Sequence, residues 1–193
     1  MTEIEVVMST RPSWDDTWMR VAWDVSERSR CVRDKVGAVI VDASNRIVAT
    51  GYNGPPAGFG SSLAEVIHQI VQDPHPETTC DTFCERGMHG PASPHSYGDC
   101  VALHAEANAI AFCDRREREG GTIYVTGPVC WDCAKLIANS GLTRAAVLSD
   151  AIRAYREPER SYDLMRRCGL AVEEIGDRRD VTGWGGADDH PDE

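Results

Sequence analysis

The chain has 193 residues, enough for one domain with a proper core, and carries a net charge of -11 at pH 7. That charge argues against a protein that grips nucleic acid by its phosphates. No apolar run approaches the ~18 residues of a membrane span, and the first residues lack the apolar core of an export signal. The eight cysteines therefore read as metal ligands and buried thiols rather than disulfides, in a cytoplasmic setting.

Residues 1–12 read as a loose arm. Ser13 or Asp15 can cap a helix in which Trp14, Trp18, Val21, Ala22 and Val25 follow the helical period. Val36 to Val41 is then a buried strand, and Asp42-Ala43-Ser44-Asn45 turns the chain into a second strand, Arg46 to Thr50. Gly51-Tyr52-Asn53-Gly54-Pro55-Pro56 closes this hairpin in a loop.

The segment 57–100 is irregular, with a short helix expected at 64–72 between breaks imposed by proline. From residue 104 the pattern runs helix, strand (122–126), helix (131–140), strand (143–148), helix (158–168) and strand (170–174). Strands alternating with helices imply crossovers and parallel pairing. With the leading hairpin, the expectation is an α/β fold: a three-layer α/β/α domain over 1–176 with a mixed sheet of five strands. Residues 177–193 form an acidic tail expected to be mobile.

Chemistry concentrates in His104-Ala105-Glu106 and Cys130-Trp131-Asp132-Cys133. Two thiolates and an imidazole are ligands that zinc prefers, and three protein ligands leave a fourth tetrahedral position for water. Cys130 and Cys133 are three apart, so on a helical first turn their sulfurs share one face. The dipole and free amides of a helix start favour thiolates. His104 and Glu106 do not share a helical face, so the metal must sit off the helix end with Glu106 turned over the open position. A carboxylate there can serve as general acid and base for a zinc-activated water. A lone Cys-x-x-Cys also fits a redox pair or half a structural zinc site. The ordered set of His-x-Glu, a preceding strand and Cys-x-x-Cys is instead the signature of zinc-dependent nucleobase deaminases.

From Arg11 to about Val172 the chain resembles the deoxycytidylate (dCMP) deaminases, a branch of the zinc-dependent cytidine/deoxycytidylate deaminase superfamily. The resemblance rests on Arg11-Pro12-Ser13-Trp14-Asp15, on Ser29-Arg30-Cys31 leading into Val36-Gly37-Ala38-Val39, and on Gly51-Tyr52-Asn53-Gly54. The two zinc segments and Tyr124-Val125-Thr126 complete it. It implies a five-stranded mixed sheet, with His104, Cys130 and Cys133 as ligands of a catalytic Zn2+ and Glu106 as the proton shuttle. It also implies Asn53 at the nucleotide sugar, Ser29 near the 5′-phosphate and Ala105 at the substrate. The expected reaction is hydrolysis of dCMP to dUMP and ammonia.

The resemblance further implies a homo-oligomer, often a hexamer, and dCTP and dTTP as effectors at the loop of residues 51–58. Some relatives hold a structural zinc with a cysteine at the place of Cys31; here Cys80, Cys84 and Cys100 would complete a set of four thiolates, with His89 and His95 as substitutes. The alternative is that these are plain buried thiols. Cys113 and Cys168, on helical segments, read as core residues.

Two departures stand out. The family reads Pro-Cys-x-x-Cys, whereas here Val129 precedes Cys130 and Pro128 stands one position earlier. Family members also place a tyrosine soon after the strand ending near Leu148, where this chain reads Ser149-Asp150-Ala151-Ile152, with Tyr155 later. Other readings are a deaminase of dCTP, guanine or a pterin-like ring, a nucleic-acid-editing deaminase, and a non-enzymatic zinc module. Editing calls for a basic face, and Arg115-Arg116-Glu117-Arg118-Glu119 is broken by carboxylates and reads as a solvated helix end. A non-enzymatic module has no reason to keep Glu106 beside an open coordination site.

Overall fold

The computed structural model describes residues 11–31, 33–57, 100–148 and 158–176. Five helices and five strands fall within them in chain order. They are α1 (Trp14–Ser26), β1 (Gly37–Val41), β2 (Ile47–Tyr52), α2 (Ala105–Ala111), α3 (Arg115–Arg118), β3 (Thr122–Val125), α4 (Trp131–Ala138), β4 (Arg144–Leu148), α5 (Pro158–Arg167) and β5 (Ala171–Ile175). The helix expected at 64–72, nearly all of the irregular segment and the acidic tail lie outside the described residues.

Ser13 caps α1. Its hydroxyl accepts the Asp16 N–H at 3.0 Å, and the Asp16 carboxylate accepts the Ser13 N–H at 3.1 Å, a reciprocal capping box. Between β1 and β2, Asp42 Oδ1 accepts the N–H groups of Ser44 and Arg46 at 2.8 and 2.9 Å, and Asn45 takes φ 63°. Asparagine tolerates that left-handed conformation, so the turn chemistry read from the sequence is what closes the hairpin.

The sheet runs β2-β1-β3-β4-β5. β1 pairs antiparallel with both β2 and β3, while β3/β4 and β4/β5 are parallel. This is the mixed, five-stranded sheet expected from a hairpin followed by crossovers. Alternation along the strands divides the core in two. Ala38, Ile40, Ile123, Val125, Ala145 and Val147 point to one face, where they cluster with residues of α2, α4 and α5. Val39, Val41, Tyr124, Ala146 and Leu148 point to the other, against Met19 and Ala22 of α1. The result is three layers with α1 alone among the described helices on its face.

Cys113 is buried, as expected. Cys168 is exposed, against the expectation of a core thiol. It falls just past the last turn of α5, on the solvent stripe that also carries Arg166 and Arg167, while Tyr162 and Met165 face inward. The arginine-rich segment is the short helix α3, capped by Asp114 and without buried residues. Arg118 nevertheless turns inward, donating to the carbonyls of Ile110, Cys113 and Ser140.

Candidate active site

Two helix starts converge on the face of the sheet opposite α1. His104 is the N-cap of α2 and Cys130 the N-cap of α4. α2 is held tightly to the sheet, because a side chain at Gly51 of β2 would lie 2.3 Å from the Ala105 carbonyl oxygen and 2.4 Å from the Ala109 nitrogen. Only glycine allows this approach. Asn108 adds a tie, donating from Nδ2 to the Tyr52 carbonyl at 2.7 Å. β3 then delivers the chain through Thr126, whose hydroxyl accepts the Gly37 N–H at 2.9 Å, into the loop that ends at Cys130.

His104 Nδ1 lies 3.3 Å from Cys130 Sγ and 3.4 Å from Cys133 Sγ, and one ligand atom from each residue falls within 4.8 Å of the others. Tetrahedral zinc at ordinary bond lengths separates its nitrogen and sulfur ligands by roughly 3.6 Å, so the three side chains are already spaced for it. The Cys133 N–H also points to Cys130 Sγ at 3.4 Å, the helix-start amide expected to favour a thiolate. The thiol of Cys133, followed by the His104 ring, holds Cys130 well below the usual thiol range, and the same shared proton raises Cys133. His104 is raised by its hydrogen bond to Cys130.

Glu106 is 2 % exposed, and burial pushes its carboxyl up to about 7. Its Oε1 is enclosed with no hydrogen-bond partner among the described residues. A buried carboxylate oxygen without a partner is expensive. Beside a three-ligand cluster it suits a polar guest such as water or an amidine nitrogen. Zinc therefore fits the site on two counts, the donor spacing and this orphaned oxygen.

The other site residues expected from the sequence occupy different surroundings. Asn53 accepts the Val36 N–H at Oδ1 (2.8 Å) and donates from Nδ2 to the Asp34 carbonyl (2.9 Å). Ser29 is buried and donates to the Asn53 carbonyl at 2.7 Å, also accepting the Cys31 N–H at 3.2 Å. Together they stitch the loop after α1 to the loop after β2. Ala105 is fully buried at the start of α2. Cys31 and Cys100 are half-buried; Cys80 and Cys84 lie outside the described residues. Among the described residues, His104, Cys130 and Cys133 form the one group of three or more metal-ligating side chains. Sequence reasoning gave no role to Tyr162, whose helical spacing with Ser161 and Met165 signals burial but not what its hydroxyl meets.

A metal-ligating triad at two helix starts, with an enclosed carboxylate beside it, defines a zinc hydrolase centre of the nucleobase-deaminase type. Residues 12–149 match the cytidine and deoxycytidylate deaminase zinc-binding region, and the chain belongs to that family. It is 41% identical over 140 residues to the deoxycytidylate deaminase of Mycobacterium phage D29, covering 70% of this chain and 94% of that one. The deoxycytidylate deaminase of Enterobacteria phage T2 is 37% identical over 174 residues, covering 81% of this chain and 89% of that protein. In fold, the chain is similar to the dCMP deaminase of cyanophage S-TIM5, solved in complex with dCMP and dUMP. That match has a TM-score of 0.57 at 24% identity and covers 86% of this chain and 99% of the other.

Proposed function

We propose that this chain hydrolyses the exocyclic amine of a cytosine deoxynucleotide, converting dCMP to dUMP and ammonia. The observation that carries the reading is the convergence of His104 Nδ1, Cys130 Sγ and Cys133 Sγ beside the enclosed Glu106. Identity to deoxycytidylate deaminases over nearly their whole length supports the choice of substrate.

His104, Cys130 and Cys133 hold the zinc, with both sulfurs as thiolates. Bound zinc supplies a water acidified towards neutrality and a positive charge at the reacting ring. Glu106 moves the protons: it accepts one from water and gives it to N3 as C4 is attacked, then takes the second from the hydroxyl now on C4 and passes it to the amine as the C4–N bond breaks and the carbonyl forms. An enclosed carboxyl beside the ligands is placed to carry a proton between water and the ring. The buried start of α2 at Ala105 forms the floor beside the base. Asn53 and Ser29, whose side chains are engaged by backbone groups, serve the nucleotide's sugar and 5′-phosphate through the loops that they fasten to each other.

The same reading extends to a second, structural zinc on Cys31, Cys80, Cys84 and Cys100, and to a homo-oligomer, a hexamer, in the cytoplasm. It also includes activation by dCTP and inhibition by dTTP; dCMP kinetics indifferent to both triphosphates would remove that part. Among the described residues no helix is long and apolar enough to cross a membrane. The test of the chemistry is Glu106→Ala. Zinc content and fold should persist while dCMP turnover falls by about 10²–10⁴-fold, the usual worth of a positioned acid–base group. Undiminished turnover would end the assignment.

A further inference from the structure

Alanine fills four of the seven positions of α2, and Asn108 stands among them as a poorer helix former. Its backbone N–H stays within the helix, donating to the His104 carbonyl at 3.0 Å. Its side chain leaves the helix and donates from Nδ2 to the Tyr52 carbonyl at 2.7 Å. Gly51 makes that reach possible. With no side chain there, the backbone of α2 lies close enough to β2 for a short amide to span the gap.

The loop after β2 is held a second time, just before His104. The Gly54 N–H donates to the Leu103 carbonyl at 3.1 Å, and the Leu103 N–H donates to the Gly54 carbonyl at 2.9 Å. Asn53 therefore sits between two anchors, with Tyr52 fixed to Asn108 and Gly54 fixed to Leu103. Those two anchor points bracket His104 along the chain. The Gly54–Leu103 pair is made by backbone alone, and any sequence could make it; the Tyr52 tie needs the Asn108 amide. We propose, resting on the reading of this site as one for a cytosine deoxynucleotide, that Asn108 is a positioning residue: by holding the Tyr52 carbonyl it sets the register between the loop that serves the sugar and the helix that begins at the metal ligand His104. A nucleotide must reach both at once, its base at the metal and its sugar at the loop. A loop already fastened to that helix spares binding the cost of ordering it.

The test uses the full zinc-loaded chain as the parent, Asn108→Ala and Asn108→Leu, the last matching asparagine in shape without its donor. Zinc content, thermal unfolding, kcat and KM for dCMP, and amide hydrogen exchange of residues 51–54 and of α4 are read for each. Both variants should keep their zinc and raise KM by roughly three- to tenfold, the worth of one neutral hydrogen bond, with kcat little changed. Exchange should quicken at residues 51–54 and stay as it was in α4. An unchanged KM in both variants, even with a lower Tm, would overturn the proposal. A parental KM in Asn108→Leu alone would overturn it too, since shape and not the donor would then matter. So would exchange that quickens equally in α4, the mark of general loosening, or a fall in kcat that follows loss of zinc. Should one variant fail to fold, the other decides alone. A parent that holds zinc but releases no ammonia from dCMP would overturn the reading of function, and this proposal with it.

Discussion

Asp15 shows how a residue read as a capping candidate acts over a longer range. Arg144 donates to its two oxygens at 2.8 Å each, and the Tyr124 hydroxyl donates to Oδ1 at 2.7 Å, so the start of α1 is tied to β3 and β4. The Arg144 hydrogen bonds hold the Asp15 carboxyl below its ordinary value, while burial pushes the Tyr124 hydroxyl up. A depressed carboxyl contributes stability above the unfolded carboxylate value of about 4 and loses it as pH falls through its folded value. Asp15→Asn should therefore cost up to about 1 kcal/mol at pH 7, after allowance for solvent screening, and the difference from the parent should close in acid. Urea unfolding at pH 7 and pH 3 checks this; a gap that widens at pH 3 would contradict it. At this scale the sequence was explicit where chemistry demands a residue type, as with His104, Glu106, Cys130 and Cys133. It was silent on Asp15–Arg144 and on Asn108–Tyr52, because partners brought together only by the fold leave no local pattern.

At the scale of elements, the hairpin, the three later strands and the helices between them follow from apolar period and turn chemistry. Ends differ by a residue or two: β2 continues to Tyr52, past the expected Thr50, because antiparallel pairing with Gly37 extends it. What periodicity cannot express is how closely two elements approach. Gly51 reads as the start of the loop after the strand, yet it lies within β2 at the point where α2 rests on it. Gly51→Ala should push α2 outward, destabilise the domain by about 1–3 kcal/mol as overpacking does, and weaken zinc retention because His104 begins that helix. Thermal unfolding and chelator competition measure the two effects. A substitution that left both unchanged would show that α2 can shift without moving the ligand.

For the molecule as a whole, the mixed five-stranded sheet was legible because a hairpin followed by strand–helix alternation implies crossovers, whereas the strand order β2-β1-β3-β4-β5 was not read from the sequence. The proposed second metal belongs to this scale, since Cys31 follows α1 and its partners come from the segment before α2. Zinc there converts binding free energy into folding free energy. Elemental analysis of dialysed protein should give close to two zinc per chain, falling to one in Cys31→Ser and in Cys80→Ser with a large drop in Tm. One zinc per chain, indifferent to either change, would leave these cysteines as buried thiols.

An acidic chain of this fold, with its zinc centre, is suited to a free deoxynucleotide rather than to a polynucleotide. The most direct test is ammonia release from dCMP, dCTP, deoxycytidine, guanine and a structured RNA, each offered separately to the zinc-loaded protein, with Glu106→Ala as the control. Release is expected chiefly from dCMP, equimolar with dUMP and absent in the control. Release from RNA alone, or from guanine in preference to dCMP, would contradict it.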